Sequence, residues 1–122
     1  MTKKYIKGIL SRKKNHDEEV FVIIRGKHYT IPGRLIDEEG FDESLRKRAL
    51  NDAYKPFGFE IKSLGDVYTS RIVSTLDYPE VEEIYHEIND WKKIRTKKRE
   101  KANLRKIKWV PSQEIYDILD AF

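Results

Sequence analysis

The fold is decided by one stretch, Tyr29-Thr-Ile-Pro-Gly-Arg-Leu-Ile-Asp-Glu-Glu-Gly40, which continues as Phe41-Asp-Glu-Ser-Leu-Arg-Lys-Arg-Ala-Leu-Asn-Asp-Ala53. A short apolar strand runs into a turn at Pro32-Gly33, and an acidic loop follows that turn. Asp42 is then a good N-cap for a helix, which ends before Pro56. Loop amides and helix side chains converge in such a strand–loop–helix unit. The stretch therefore predicts a place that can hold a phosphate or a metal ion.

Strands are predicted on the N-terminal side of this unit. Tyr5 to Leu10 and the β-branched run Val20 to Ile24 favour strands, and the polar segment Ser11 to Glu19 between them is expected to be a loop. The turn signal Arg25-Gly26-Lys27 predicts a hairpin that returns through His28 to Ile31.

The C-terminal side of the unit predicts more strands and a last helix. The predicted strands are Phe59 to Leu64, which Gly65 breaks, then Asp66 to Thr75, Val81 to Ile88 and Lys106 to Val110. A helix is expected to begin at Pro111 and Ser112.

The apolar spacing predicts how the two helices pack. The first, Asp42 to Tyr54, is expected to bury Leu45, Ala49 and Ala53, and the last to bury Ile115, Ile118 and Leu119. Arg48 and Asp52 lie four residues apart on the first helix, so we expect them to form an exposed ion pair.

At two points the sequence resembles the Nudix (MutT-like) domain family. Ile31-Pro32-Gly33-Arg34 is similar to the Pro-Gly-Gly that usually ends a strand before the family's signature box. Trp109-Val-Pro111 before a helix is similar to the family's usual ending. The resemblance implies an α/β (α+β) fold, a Nudix-type α/β/α sandwich with a mixed sheet, formed by residues 1–122 as a single domain.

The family's box has a glycine, five residues, a glutamate, seven residues, Arg-Glu, an apolar residue, any residue, Glu-Glu, any residue and Gly. It fits this sequence in two registers, and both are degenerate. If Gly33 opens the box, Glu39 takes the first glutamate position, Lys47 and Arg48 take the Arg-Glu positions, and Asn51 and Asp52 take the paired glutamates. If Arg34 opens it, Gly40 replaces the first glutamate, Arg48 matches the arginine, Ala49 replaces the catalytic glutamate, and Asp52 and Ala53 take the paired glutamates.

These departures weaken the expected metal chemistry. Nudix hydrolases cut a diphosphate linkage with helix carboxylates around Mg²⁺, which needs hard oxygen ligands. Only Asp52 keeps a carboxylate in both registers, so Asp52 and Glu39 are the candidate catalytic residues and the candidate Mg²⁺ ligands. The resemblance makes Gly33, Arg34 and Arg48 the candidate ligand-binding residues.

Composition limits the classes of function. The chain has 122 residues, a net charge of +4, 38% charged residues and no cysteine, so disulfides and thiolate metal sites are excluded. The longest apolar run, Val20 to Ile24, is too short to cross a membrane, and no secretory signal is apparent. We therefore expect a cytoplasmic protein without a membrane partner.

The positive charge is concentrated in residues 92–108, which hold ten basic residues against Glu100 alone. Such a segment attracts polyphosphates and nucleic acids, although a solvated face is the simpler explanation. The candidate contacts to RNA or DNA are Lys92, Lys93, Arg95, Lys97, Lys98, Arg99, Lys101 and Arg105.

Two functions remain open from the sequence. The first is a degenerate Nudix-fold domain that recognises a nucleotide or nucleoside diphosphate compound, or a nucleic-acid phosphate, with weak or no hydrolysis. The alternative is a Mg²⁺-dependent Nudix hydrolase that cuts a nucleoside diphosphate linkage with an atypical ligand set. The loss of anionic residues favours the first.

Overall fold

The computed structural model describes residues 3–36, 42–95 and 106–122. Its strands are β1 Lys3–Ile9, β2 Ser11–Lys14, β3 Asp17–Arg25, β4 His28–Thr30, β5 Gly33–Ile36, β6 Phe59–Val73, β7 Val81–Lys93 and β8 Ile107–Pro111. The helices described are α1 Glu43–Tyr54, a 3-10 turn Lys55–Phe57 and α2 Ser112–Asp120.

The strands form two sheets. In the first the order is β5-β1-β7-β6, with β1 parallel to β7 and the other pairs antiparallel, so the sheet is mixed as expected. In the second, β3 pairs with β2, β4 and β8. Residues Glu19 to Ile23 of β3 pair with β8, so β8 lies on the edge opposite β2 and β4.

The strands present apolar side chains to both helices. On β3, Phe21 joins the core under α1, whereas Val20 and Val22 join the core under α2. On β7, Ile84 joins the core under α1 and Tyr85 joins the core under α2. Because successive side chains of a strand point to opposite faces, a continuous apolar run fills both cores, and the sandwich of two helices around strands is confirmed.

Three expectations about secondary structure were wrong. The segment Ser11 to Glu19 is a hairpin of β2 and β3, turning at Asn15 and His16, which have positive φ values of 52° and 71°. Its strands are polar because they are partly exposed, and Arg12 pairs with Glu19 at 3.0 Å. Gly65 does not end a strand: β6 continues through it with shifts of register against β7.

The third wrong expectation concerns which residues of the two helices are buried. Along α1 the buried residues are Ala49, Leu50 and Tyr54, whereas Ala53 is only partly buried. On α2, Ile115 and Leu119 are buried but Ile118 is 48% exposed. Residues four apart share a helix face, and Ile118 projects from the side of that face.

Candidate ligand-binding site

Helix α1 has a side-chain N-cap and two side-chain hydrogen bonds to strands of the sheet. Asp42 Oδ1 accepts a hydrogen bond from the Leu45 amide at 2.8 Å, which confirms Asp42 as the N-cap. The Asn51 side chain accepts from the Ile61 amide at 2.6 Å, and the Tyr54 hydroxyl donates to the Gly8 carbonyl at 2.5 Å. These bonds set the position of the helix side chains relative to β5.

A cavity of about 410 Å³ lies between α1 and β5. We call it the arginine cavity, and its lining comprises Arg34, Leu35, Ile36, Leu45, Arg48, Ala49 and Asp52. Arg34 Nη1 donates to Asp52 Oδ2 at 2.6 Å, so Asp52 pairs with Arg34 and not, as expected, with Arg48. The expected pair of Arg48 and Asp52 follows from helix spacing alone. In the fold, β5 lies beside α1 and brings the Arg34 guanidinium to the Asp52 carboxylate.

The described lining of the arginine cavity does not fit a divalent metal. Two guanidinium groups and one carboxylate line it in the described residues, and that carboxylate already binds Arg34. Over residues 3–36, 42–95 and 106–122, no group of three His, Cys, Asp or Glu side chains is arranged to hold an ion. Glu39 lies outside these residues. The described lining thus carries the charge sign that suits an anion.

Gly33 is needed for the approach of two strands. The expected loop does not begin here, because Gly33 is the first residue of β5 and pairs with Lys7 of β1. A Cβ atom at this position would lie 2.2 Å from the Ile6 carbonyl oxygen and 2.9 Å from Lys7 Cα. The glycine therefore allows β5 to lie against β1, which places Arg34 at the arginine cavity.

A second cavity, of about 270 Å³, lies on the α2 side and includes Lys7, Arg71 and Tyr85. Next to it, Glu83 accepts from Arg71 Nε at 2.7 Å and pairs with Lys7 Nζ at 3.3 Å. Burial acts to raise the pKa of Glu83, but the Arg71 hydrogen bond and the Lys7 charge outweigh it and lower that pKa. One ionised carboxylate is thus shared by two cations, leaving net positive charge here.

Aromatic rings give the α2-side cavity flat apolar walls. Its lining includes Tyr29, Tyr85 and Phe122, and the rings of Tyr85 and Phe122 are 5.5 Å apart. The Arg71 guanidinium lies 3.8 Å from the centre of the Phe122 ring. Tyr68, by contrast, packs on Tyr116 and donates to Asp120 at 2.5 Å outside this cavity. Tyr85 is buried, whereas Tyr29 is half-buried and Phe122 is exposed, so Tyr29 and Phe122 are the rings on which a flat group such as a nucleobase can stack.

Each cavity has a lining residue at or next to the Lys7–Gly33 pair of β1 and β5. Lys7 lines the α2-side cavity, and its register partner Gly33 directly precedes Arg34 of the arginine cavity. In the described part of the sheet β5 is the outer strand. The arginine cavity lies on the α1 side of β5, and the second cavity lies on the α2 side.

A third cavity surrounds His86 and was not predicted. Its lining includes Glu43, Arg46, Asp66 and Asn89, and its volume is about 410 Å³. His86 is 3% exposed; its Nδ1 lies 3.1 Å from the Gly65 carbonyl oxygen, while its Nε2 has no hydrogen-bond partner within the described part of the chain. A carbonyl only accepts, so Nδ1 carries the proton. Burial lowers the pKa of His86 and keeps the ring neutral.

The sequence contains little that predicts the group of Lys7, Glu83 and Arg71 beside the α2-side cavity. Lys7 interrupts an apolar strand between Ile6 and Gly8, which was a signal for a charge that the fold must neutralise. Glu83 and Arg71 gave no comparable signal, because both lie in strands with many charged residues.

The basic segment is described only at its ends. Lys92, Lys93 and Arg95 are exposed, and Lys92 pairs with Glu60 at 3.1 Å. The other candidate contacts lie outside the described residues: Lys97, Lys98, Arg99, Lys101 and Arg105. Among the residues that the structure describes, no helix has the length and apolarity needed to span a membrane.

Several solved structures share this fold. The E. coli ORF135 protein has a TM-score of 0.62 at 10% identity, with 93% of this chain and 76% of that protein covered. A C. elegans Ap4A hydrolase has a TM-score of 0.58 at 17% identity, covering 98% and 88%. The Nudix domain of Shewanella oneidensis NrtR, solved with ADP ribose, has a TM-score of 0.56 at 13% identity, covering 96% and 77%.

These similarities identify the architecture. No protein-family model matches the sequence, and no curated protein matches it. The chain has a Nudix-like fold, an α+β structure built on a mixed sheet, as the Pro-Gly and Trp-Val-Pro points predicted. At these identities the likeness concerns the fold alone, so function must be argued from the cavities.

Proposed function

We propose that residues 1–122 form a Nudix-like domain that recognises a nucleoside diphosphate compound, with weak or no hydrolysis. The observation that carries this proposal is the pair of guanidinium groups, Arg34 and Arg48, that line the cavity between α1 and β5. Guanidinium groups bind phosphate oxygens through paired, charge-assisted hydrogen bonds. A cavity of about 410 Å³ lies within the range of small-molecule sites.

The α2-side cavity supplies the contacts that a nucleoside needs. Tyr29 and Phe122 offer ring surface, and Arg71 and Lys7 add positive charge beside them. With the diphosphate on Arg34 and Arg48, the ligand crosses the β5 edge at Gly33 and places its base among these rings. The ADP ribose complex of the NrtR Nudix domain supports this ligand class and suggests ADP ribose as a probe.

Weak or absent hydrolysis follows from the charges in the arginine cavity. A divalent ion needs several anionic oxygens, whereas the described residues supply only the Asp52 carboxylate, which is bound to Arg34. An additional carboxylate at Glu39, as the resemblance implies, still leaves two arginines beside the ion. The guanidinium groups bind the phosphates, and the one carboxylate in the described lining of this cavity, Asp52, is bound to Arg34 and is not free to activate water.

The test is calorimetric titration of ADP ribose and ADP into the parent protein and into Arg34→Gln and Arg48→Gln. Losing one charge-assisted interaction costs about 1.5–3 kcal/mol, which weakens binding about 10- to 150-fold. Lys55→Gln is the matched control, since it removes one positive charge from an exposed residue just after α1 and outside both cavities.

Two results contradict the proposal. Equal affinity of the parent, the two cavity variants and the control would show that these arginines do not bind the ligand. Rapid release of AMP or phosphate from ADP ribose, dinucleoside polyphosphates or nucleoside triphosphates with Mg²⁺ or Mn²⁺, abolished in Asp52→Ala, would favour the hydrolase alternative.

We also propose that the basic segment, residues 92–108, contacts RNA or DNA phosphates. Lys93 and Arg95 near the end of β7 are exposed, as is Lys92, which pairs with Glu60, so positive charge is available to a polyanion at this end of the segment. Such contacts act by releasing counterions and carry little sequence preference.

A further inference from the structure

Asp52 is held in the arginine cavity by a bond that a ligand can replace. Its Oδ2 atom lies 2.6 Å from Arg34 Nη1, and the two side chains are 49% and 57% exposed. Solvent screens exposed ion pairs, which makes them weak and easily exchanged. A carboxylate on a guanidinium also has the same arrangement of oxygens that a phosphate offers.

The second arginine makes the exchange favourable. Arg48 precedes Asp52 by four residues on α1, and both line the same cavity. A phosphate on Arg34 therefore also meets the charge of Arg48, whereas the Asp52 ion pair is with Arg34. In the described lining no other carboxylate competes for the two guanidinium groups.

We propose that Asp52 is an internal competitor that occupies the phosphate position on Arg34, and that the ligand enters as a metal-free diphosphate that displaces it. This inference rests on the proposed function, since it assigns the state of the same cavity before and after the ligand binds. In this role, Asp52 has the opposite effect on the affinity for the diphosphate ligand from the effect that a metal-coordinating residue has. A metal ligand strengthens binding through the ion, whereas a competitor weakens it.

The test is calorimetric titration of ADP ribose into the parent protein and Asp52→Asn, each with EDTA and with Mg²⁺. We expect Asp52→Asn to bind more tightly by up to about five-fold, because an exposed ion pair contributes up to about 1 kcal/mol and tenfold corresponds to about 1.4 kcal/mol. EDTA should leave the affinity of both proteins unchanged. Asp52→Ser is a second variant with the same expected direction, and thermal melting verifies that both variants are folded.

Two controls separate local competition from a change in net charge. Glu43→Gln removes one negative charge from the same helix but lines the His86 cavity, so it should change the affinity less than twofold. In an Arg34→Gln background the gain from Asp52→Asn should largely disappear, because the two substitutions act on one contact.

The outcomes distinguish this inference from the function on which it rests. If the parent does not bind ADP ribose or ADP, both fail. If the parent binds through Arg34 and Arg48 but Asp52→Asn binds equally or more weakly, or if EDTA abolishes binding, the proposed function stands and the competitor role is overturned.

Discussion

Replacing Gly33 by alanine should separate β5 from β1 and destabilise the protein strongly. The new Cβ would lie 2.2 Å from the Ile6 carbonyl oxygen, 2.7 Å from Lys7 Cγ and 2.9 Å from Lys7 Cα. Two of these three atoms belong to the backbone, so a rotamer change cannot relieve the contact and the strand must move. Overpacking of this kind costs about 1–3 kcal/mol, and a weakened hydrogen bond between the strands adds about 1 kcal/mol.

The expected loss of about 2–4 kcal/mol corresponds to a lower melting temperature. Unfolding entropy is about 2.1 cal/mol/K per residue, so the melting temperature of a chain of this length should fall by about 8–15 °C. Differential scanning calorimetry measures the shift, and urea unfolding gives the free energy directly. Because β5 carries Arg34, binding of ADP ribose should weaken in the same variant.

Gly26→Ala is the matched control. Gly26 has a φ of +61°, but an added Cβ would meet no atom of the described residues within 4 Å, so only the backbone penalty of about 1–2 kcal/mol applies. If Gly33→Ala destabilises no more than Gly26→Ala, the close approach of β5 and β1 is not the reason for the glycine.

Two further predictions concern protonation and the basic segment. The pKa of His86 in the folded protein is below its ordinary value of 6.5, so the unfolded chain takes up a proton first as the pH falls. The free energy of unfolding should therefore decrease as the pH drops below about 6.5. In urea titrations between pH 5 and 8, His86→Gln should remove that part of the decrease, whereas the exposed control His28→Gln should not. For single-stranded RNA, four to six phosphate contacts give a log–log salt slope of about −3 to −4. Glutamine at four basic positions should flatten this slope, and an unchanged slope or no binding at low salt would exclude the nucleic-acid role. Those four positions are Lys97, Lys98, Arg99 and Lys101.

Local patterns in the sequence determined most of the secondary structure. The Asp42 cap, the Pro56 stop and the hairpin at Gly26 all depend on residues a few positions apart, and the structure has each of them. The polar hairpin was not predicted, because Ser11 to Glu19 has charged residues in place of an alternation of apolar and polar residues.

The functional site depended on contacts that sequence spacing does not contain. Helix periodicity paired Asp52 with Arg48, but the fold pairs it with Arg34, eighteen residues away, because β5 crosses the face of α1. Lys7, Arg71 and Glu83 come from three strands, and the two cations share the Glu83 carboxylate only in the folded sheet. The sequence by itself determined which charges are present and which elements carry them. Only the tertiary structure decided which charges meet, because long-range partners are set by strand order and helix packing.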